Sequence, residues 1–234
     1  MIGIIGAMDE EIELLKNKMI VEKKEVIANC EYYIGKLEDK DVVLLKSGIG
    51  KVNAALSTSI LFQRFNPDFI INTGSAGGFH QDLEVGDIVI STEVVHHDVD
   101  VTAFDYAFGQ VPGMPARYKA HPVLIDDAIA ATKALNDIKV MKGLISTSDS
   151  FMQDKEKVAF AREKFPEMIA AEMEAAAIAQ VCHQFDKPFV IIRALSDIAG
   201  KESSVSFDAF LKTAAENAAN LIINVIKDTN YIKN

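Results

Sequence analysis

The chain has few cysteines and few arginines, and it has no uninterrupted apolar stretch long enough to cross a membrane. Its two cysteines, Cys30 and Cys182, lie far apart and match no metal-binding or redox spacing, which is typical of a reducing compartment, although a disulfide between them remains the alternative. Residues 1–6 have no basic region and begin directly with a strand pattern. We therefore expect a cytoplasmic protein with no signal peptide and no membrane partner.

The balance of charge argues against nucleic acid as a partner. The formal net charge is -10, and the four arginines are scattered along the chain instead of forming a basic patch. With 234 residues and 49% hydrophobic residues, the chain can bury one large core and is near the upper size for one domain. We expect a single domain over residues 1–234.

The most informative stretch is residues 189–197, where an apolar run leads into a group of polar side chains. Such a run is typical of a strand buried on both faces, with Arg193 inside it and Ser196 and Asp197 at its end. Ligands of open α/β sheets bind at the carboxyl ends of strands, so this end is a candidate site. Alternatively, Asp197 could have only the structural role of capping a turn. Arg193 favours a functional role, because a buried arginine needs polar or charged partners.

Strand and helix patterns alternate along the rest of the chain, which predicts an α/β protein with a largely parallel sheet covered by helices. Apolar runs or alternation predict strands at residues 3–7, 32–37, 41–46, 69–73, 85–91, 142–146 and 168–174. Helical patterns begin near Met8 and cover residues 52–65, 122–135, 154–164, 175–185 and 207–228.

Two glycine-containing turns could bring backbone amides close to a ligand. Residues 47–51 join a strand to a helix, and residues 74–78 predict a tight turn that could hold an oxygen-rich group, with close packing as the alternative. Neither turn matches a phosphate-binding P-loop, and Gly3 and Gly6 do not form a dinucleotide-binding motif. We expect no nicotinamide cofactor.

Residues 96–118 show neither helical nor strand periodicity, yet they are rich in apolar and aromatic side chains. A disordered loop would not contain so many aromatics, and long irregular segments in compact domains are usually functional. We expect this segment to contact a second subunit or to cover a pocket.

Several predicted strand ends carry reactive groups, namely Glu11, Ser75, Glu174, Arg193, Ser196 and Asp197. Two carboxyl groups, one donating a proton and one activating water, are the usual equipment for breaking a glycosidic bond.

Six motifs in order along nearly the whole chain resemble those of the 5'-methylthioadenosine/S-adenosylhomocysteine nucleosidases. They are residues 3–11, 47–52, 72–78, 98–104, 172–175 and 194–197. The resemblance implies a nucleoside phosphorylase-like three-layer fold, with a central mixed, largely parallel sheet flanked by helices. It also implies a homodimer that hydrolyses these purine thionucleosides to adenine and a 5-thioribose product in methionine salvage, without a cofactor or metal.

The same resemblance implies roles for individual residues. Asp197, assisted by Ser196, would protonate N7 of adenine, and Glu11 would activate water. The ribose and the water would be held by Ser75, Met173, Glu174 and Arg193. Adenine would stack on Phe151 and contact backbone atoms of Met152. The thioalkyl pocket would be lined by Met8, Ile49 and Phe207, together with Val101, Phe104 and Pro112 of the neighbouring subunit.

Two positions depart from the family pattern, since Ser148 and Asp105 stand where glycine is common. If those glycines have positive φ, a side chain would strain or move each turn. The alternatives to a nucleosidase are a purine nucleoside phosphorylase, which would need a cationic cradle for phosphate, and a catalytically silent nucleoside sensor.

Overall fold

The computed structural model describes residues 1–135, 138–201, 203–229 and 231, and within them an eleven-stranded mixed sheet forms the centre. The strands are β1 (Ile2–Gly6), β2 (Ile20–Ile27), β3 (Cys30–Leu37), β4 (Lys40–Lys46), β5 (Phe69–Asn72), β6 (Ser75–Gly78), β7 (Ile88–His96), β8 (Tyr118–Lys119), β9 (Val140–Thr147), β10 (Met168–Glu172) and β11 (Phe189–Ile198). They lie in the order β2-β3-β4-β1-β5-β11-β6-β10-β9-β7-β8.

Helices cover both faces of this sheet and make the fold three-layered, as the family resemblance implies. The helices are α1 (Asp9–Lys18), α2 (Lys51–Phe65), α3 (Pro122–Ala131), α4 (Lys155–Lys164), α5 (Ala175–Gln184) and α6 (Ser203–Asp228). Side chains of α2 and α5 share one buried cluster with Ile5, whereas α1, α3 and α6 share another with Ile4. Successive residues of a strand point to opposite faces, which explains why these two neighbours belong to different clusters.

Strand β11 is the central strand of the fold, and it is buried from Phe189 through Asp197. It pairs in parallel with β5 and β6, and antiparallel with β7. Because of the pairing with β7, strands β6, β7, β9, β10 and β11 close into a small ring at one side of the sheet. The prediction of a strand buried on both faces is confirmed.

The sheet differs from the sequence-based expectations in several places. It is mixed and not largely parallel, since strands β2, β3, β4 and also β7 and β8 pair antiparallel, and β8 was not predicted. Residues 74–78 are not simply a tight turn, because Ser75–Gly78 is strand β6 and pairs with β10 and β11. Strand β2 was not predicted at all, since it is an exposed edge strand whose charged residues interrupt any apolar alternation.

The segment before β8 is largely irregular, as expected, with one short 3₁₀ turn at Thr102–Phe104. Asp105 follows this turn with φ of 64°, a left-handed conformation that Asp tolerates better than most residues. Ser148 does not have a positive φ, so the serine introduces no backbone strain there. Neither cysteine forms a disulfide. Within the described ranges, no helix combines the length and hydropathy required to cross a membrane.

Candidate active site

A cavity of about 350 Å³ opens where β1, β10 and β11 end, beside β6. The sequence-predicted residues that line it are Met8, Glu11, Ile49, Ser75, Phe151, Met173, Glu174, Ser196, Asp197 and Phe207. Strands distant in sequence therefore bring both candidate catalytic carboxyl groups and most of the candidate binding residues to one concave surface.

Glu11 is the one acid of the α1 N-terminal region that faces this cavity. Its side chain is 2% exposed, whereas Asp9, Glu10 and Glu13 are exposed. Its carboxylate accepts hydrogen bonds from the backbone N–H of Ala7 at 2.7 Å and of Met8 at 3.3 Å. The backbone N–H and the hydroxyl of Ser75 donate to its other oxygen at 2.9 and 3.1 Å, so the carboxylate is held in one orientation.

Arg193 is a fully buried cation placed behind the cavity wall, and three carboxylates surround it. Its Nη2 donates to Glu172 Oε2 at 2.5 Å and to Glu174 Oε2 at 3.4 Å, and its Nη1 lies 4.0 Å from Glu11 Oε1. The amide oxygen of Asn72 accepts a further hydrogen bond from Nη2 at 2.8 Å. These carboxylates outweigh the effect of burial and raise the pKa of Arg193, so the guanidinium stays charged and positions them.

Glu174 is buried in a strongly acidic environment. Burial and the neighbouring Glu172 carboxylate raise the pKa of Glu174 to about 8, although Arg193 opposes this rise. The Glu174 carboxylate also accepts a hydrogen bond from the backbone N–H of Gly50 at 2.8 Å, which ties the 47–51 turn to the site. At neutral pH this carboxyl group can therefore donate a hydrogen bond as well as accept one.

Glu172 is a structural member of the site to which the sequence assigned no role. It ends β10, while Glu174 is the N-cap residue of α5, so the strand is shorter than the predicted 168–174 and the turn separates the two acids. Besides Arg193, its oxygens accept hydrogen bonds from the Thr147 hydroxyl and from the backbone N–H groups of Glu174 and Ala175 at 2.9 and 2.8 Å. The signal that could have found it is its period-two spacing from Glu174.

Asp197 lies near the end of β11 and is 2% exposed. Burial raises the pKa of Asp197 above its ordinary value, and hydrogen bonds from Ser196 and Ser203 only partly offset this rise. The Ser196 hydroxyl donates to Asp197 Oδ1 at 3.0 Å. A side chain at Gly77 would come within 3.2 Å of Asp197 Oδ2, so glycine keeps space open beside this carboxyl group.

An aromatic wall closes another side of the cavity. The rings of Phe151 and Phe207 are 5.7 Å apart in an edge-to-face arrangement. The loop that carries Phe151 is anchored because Asp149 accepts a hydrogen bond from the backbone N–H of Lys51 at 2.8 Å. Met152 does not line the cavity, and its side chain packs in a separate cluster beside α4.

The remaining predicted residues lie outside the cavity of their own chain. Val101, Phe104 and Pro112 are absent from its lining, and Phe104 is 75% exposed. Residues that line the cavity without having been predicted are Ala7, Ala76, Gly77, Ala171, Glu172, Ser204 and Asp208. Ala76 and Gly77 belong to the glycine-containing stretch that the sequence already marked, whereas Ser204 and Asp208 share a helix face with Phe207.

Comparison with known proteins agrees with this arrangement. The model of the Phosphorylase superfamily matches residues 1–227. A 5'-methylthioadenosine/S-adenosylhomocysteine nucleosidase of Geobacillus sp. (strain WCH70) is 64% identical over 96% of this chain and 97% of its own length. The protein of the same name from Bacillus subtilis (strain 168) is 59% identical over 97% of this chain and 98% of its own length.

Solved structures lead to the same family. The nucleosidase from Neisseria meningitidis in complex with methylthio-immucillin-A superposes with a TM-score of 0.95 at 51% identity, covering 97% of this chain and 98% of that one. The nucleosidase from Colwellia psychrerythraea 34H in complex with adenine gives a TM-score of 0.94 at 51% identity, covering 96% and 93%. The chain therefore belongs to the Phosphorylase superfamily and, within it, to the 5'-methylthioadenosine/S-adenosylhomocysteine nucleosidases.

Proposed function

We propose that this cavity hydrolyses the N-glycosidic bond of 5'-methylthioadenosine and S-adenosylhomocysteine, with Asp197 as the acid and Glu11 as the base. The observation that carries the proposal is that two buried carboxyl groups, one of them with a raised pKa, line a single cavity. Solved nucleosidases of this family bind methylthio-immucillin-A in one case and adenine, the base that this reaction would release, in another.

Asp197 supplies the proton that lets adenine leave. When the bond between C1' of the ribose and N9 of adenine breaks, its electron pair moves into the purine, and protonation at N7 makes adenine a neutral leaving group. A carboxyl group can donate this proton only if it keeps it near neutral pH, which the raised pKa of Asp197 favours. The Ser196 hydroxyl orients the acid through its hydrogen bond of 3.0 Å.

Glu11 takes the proton of the attacking water. The positive charge that develops on the ribose in an oxocarbenium-like transition state is compatible with this acidic cavity. Water adds its oxygen to C1' and transfers a proton to the carboxylate of Glu11, whose orientation Ser75 fixes. Glu174 and Met173 lie in the same lining, where they would contact the ribose.

Cleavage by phosphate instead of water is disfavoured by the charge of the cavity. The charged lining residues are all acids, namely Glu11, Glu172, Glu174, Asp197 and Asp208. The buried cation behind them, Arg193, is already engaged by three carboxylates. A phosphate ion would therefore meet net negative charge and no free cationic partner among the lining residues.

A direct assay tests this proposal. The purified protein in phosphate-free buffer is incubated with methylthioadenosine, and adenine and methylthioribose are separated and quantified. We expect both products in equal amounts, at a rate that added phosphate or arsenate does not increase. Dependence on phosphate would identify a phosphorylase, and binding without turnover would identify a nucleoside sensor.

We also propose that the active form is a homodimer. Ile49, Val52 and Leu56 are 49%, 78% and 46% exposed, and they give the start of α2 an apolar surface. Phe104 is exposed as well, and large exposed apolar patches are typical of protein interfaces. A second copy would cover this surface, and its Val101, Phe104 and Pro112 would complete the thioalkyl pocket.

A cytoplasmic location accompanies this assignment. Cys30 and Cys182 are both free and buried, which suits a compartment where thiols stay reduced.

A further inference from the structure

The rim of the active-site cavity carries one charged side chain among the described residues. Of the lining residues, only Ile49, Phe151, Ser204 and Asp208 are exposed in the single chain. The proposed second copy would cover Ile49, which leaves Phe151, Ser204 and Asp208 at the opening toward solvent. The other acids of the lining are buried. A substituent on the 5' carbon that is too long for the cavity must leave through this rim, where Asp208 is the charged side chain.

Three residues on one side of helix α6 line the cavity. Ser204, Phe207 and Asp208 are spaced three and four residues apart, the spacing that puts helix residues on one side. Phe207 packs against Phe151 in the aromatic wall. Asp208 has neither an ion-pair partner nor a hydrogen bond within the part of the chain that the structure describes, so its carboxylate is available to a ligand.

The two proposed substrates differ in the group that would reach this carboxylate. Methylthioadenosine ends in a neutral methyl group, whereas the homocysteine tail of S-adenosylhomocysteine carries an ammonium group and a carboxylate at neutral pH. We propose that Asp208 binds the ammonium group of the homocysteine tail and thereby raises the affinity for S-adenosylhomocysteine relative to methylthioadenosine. This inference rests on the proposed function, and Asp208 is a specificity residue that takes no part in bond cleavage.

The expected effect is small because Asp208 is exposed. Ion pairs at solvent-exposed positions are weak, and added salt screens them. Removing such a pair should raise the KM for S-adenosylhomocysteine by about two- to fivefold at low ionic strength. The KM for methylthioadenosine should not change, because its methyl group makes no contact with the carboxylate.

Steady-state kinetics of the Asp208→Asn variant with both substrates test this inference. We expect a raised KM for S-adenosylhomocysteine alone, an unchanged kcat, and a difference that shrinks at high ionic strength. Asp208→Glu should restore most of the affinity. Glu216→Gln is the matched control, because Glu216 is exposed on the same helix but does not line the cavity. An S-adenosylhomocysteine analogue that lacks the amino group should be cleaved by the Asp208→Asn variant as well as by the unaltered protein.

Three results would overturn the role of Asp208: an unchanged or lower KM for S-adenosylhomocysteine, an equal rise for both substrates, or the same loss in Glu216→Gln. Each of them leaves cleavage of methylthioadenosine by the unaltered protein intact. If the unaltered protein cleaves neither substrate, the proposed function fails first, and this inference fails with it.

Discussion

Arg193 stabilises a group of buried carboxylates that would be unfavourable without a nearby positive charge. Glu11, Glu172 and Glu174 would repel one another in a buried space, and the guanidinium lies between them. A single positive charge cannot balance three negative charges, so a proton is retained, and the raised pKa of Glu174 reflects this. The arrangement combines an acceptor carboxylate at Glu11 with a partly protonated carboxyl group at Glu174 in one cavity.

Asp197→Asn should abolish adenine release without weakening the fold. The amide fills the same space but cannot donate the proton, and general acid catalysis contributes about 10²–10⁴-fold to the rate. In the unaltered protein, turnover should fall as pH rises through the pKa of Asp197, because only the protonated acid is active. Single-turnover rates of adenine formation measure both effects, and a loss below about tenfold would argue against the acid role.

Although Asp197→Asn should abolish activity, it should leave the stability of the folded protein unchanged or increase it. The folded-state pKa of Asp197 is raised, so its ionisation destabilises the folded protein above the unfolded-state pKa, and this penalty disappears as pH falls. Asp197→Asn should therefore unfold at an equal or higher temperature than the unaltered protein at neutral pH. The difference should narrow toward pH about 4, where an unfolded Asp takes up its proton. A lower unfolding temperature would instead mean that Asp197 is mainly structural.

Individual residues differ in how well the sequence reveals them. Asp197 and Arg193 are recognisable because burying a charged group in an apolar strand costs free energy unless the group has a partner. Glu11 is separable from its acidic neighbours only through the resemblance, since all of them suit a helix N-terminus. Glu172 and Asp208 were missed because their positions depend on the direction of a side chain after a turn and along a helix.

At the scale of elements, the turn between β5 and β6 is the most sensitive to substitution. Gly74 has φ of 143°, and a Cβ atom there would lie 2.3 Å from Arg193 Nη1 and 2.6 Å from Glu11 Oε1. Both groups are buried and hydrogen-bonded, so neither can move without breaking contacts. Gly74→Ala should therefore lower both the unfolding temperature and kcat, as thermal unfolding and adenine release would show.

Gly86→Ala provides the matched control for backbone strain. Gly86 also has a positive φ, of 94°, but among the described residues the one atom near the position that its Cβ would take is Asn217 Nδ2, at an ordinary contact distance of 3.8 Å. It should show only the modest cost of placing alanine at positive φ, with kcat unchanged. If both variants lose stability and kcat to the same extent, backbone strain alone explains the effect of Gly74→Ala, and the contacts with Arg193 and Glu11 do not contribute.

The elements that could be predicted are those whose sequence pattern matches their burial. Strand β11 and helix α2 were predicted almost to the residue, because β11 begins with a long apolar run and the residues of α2 follow a helical pattern. Strand β2 was missed because an exposed edge needs no apolar alternation, and β6 was read as a turn because small residues leave no side-chain pattern. Both strands form because they pair with neighbouring strands, and the local sequence pattern contains no information about that pairing.

At the scale of the whole molecule, the cavity of one chain is open on the side where the thioalkyl group would lie. Met8 is partly exposed and Ile49 is 49% exposed, which is unusual for the wall of an apolar subsite. The irregular segment around Phe104 carries exposed apolar side chains and does not line the cavity of its own chain. A two-fold dimer would bring the two incomplete surfaces together, because each copy provides what the other lacks.

Phe104→Ala should therefore weaken the binding of substrates with an apolar 5' group and leave the binding of adenosine unchanged. Losing part of an aromatic contact costs about 1–2 kcal/mol, which corresponds to a rise in KM for methylthioadenosine of about 5- to 30-fold. Adenosine carries only a hydroxyl at this position and has no such contact to lose. Parallel kinetics with the two nucleosides measure the difference, and sedimentation of the variant checks that it still forms the same assembly.

Mixing two inactive or weakened variants shows whether Phe104 acts across the interface. In a heterodimer of Phe104→Ala and Asp197→Asn chains, one site combines an intact Asp197 with the intact Phe104 of the other chain, and the second site lacks both. If the pocket is shared, mixing should restore tight turnover of methylthioadenosine at one of the two sites of each heterodimer. Phe104→Ala dimers alone cannot provide this, because neither of their sites receives the aromatic ring. Exchange of subunits must be verified, for instance with chains of different mass. If exchange occurs and the affinity for methylthioadenosine stays low, Phe104 acts within its own chain, and the shared pocket is wrong.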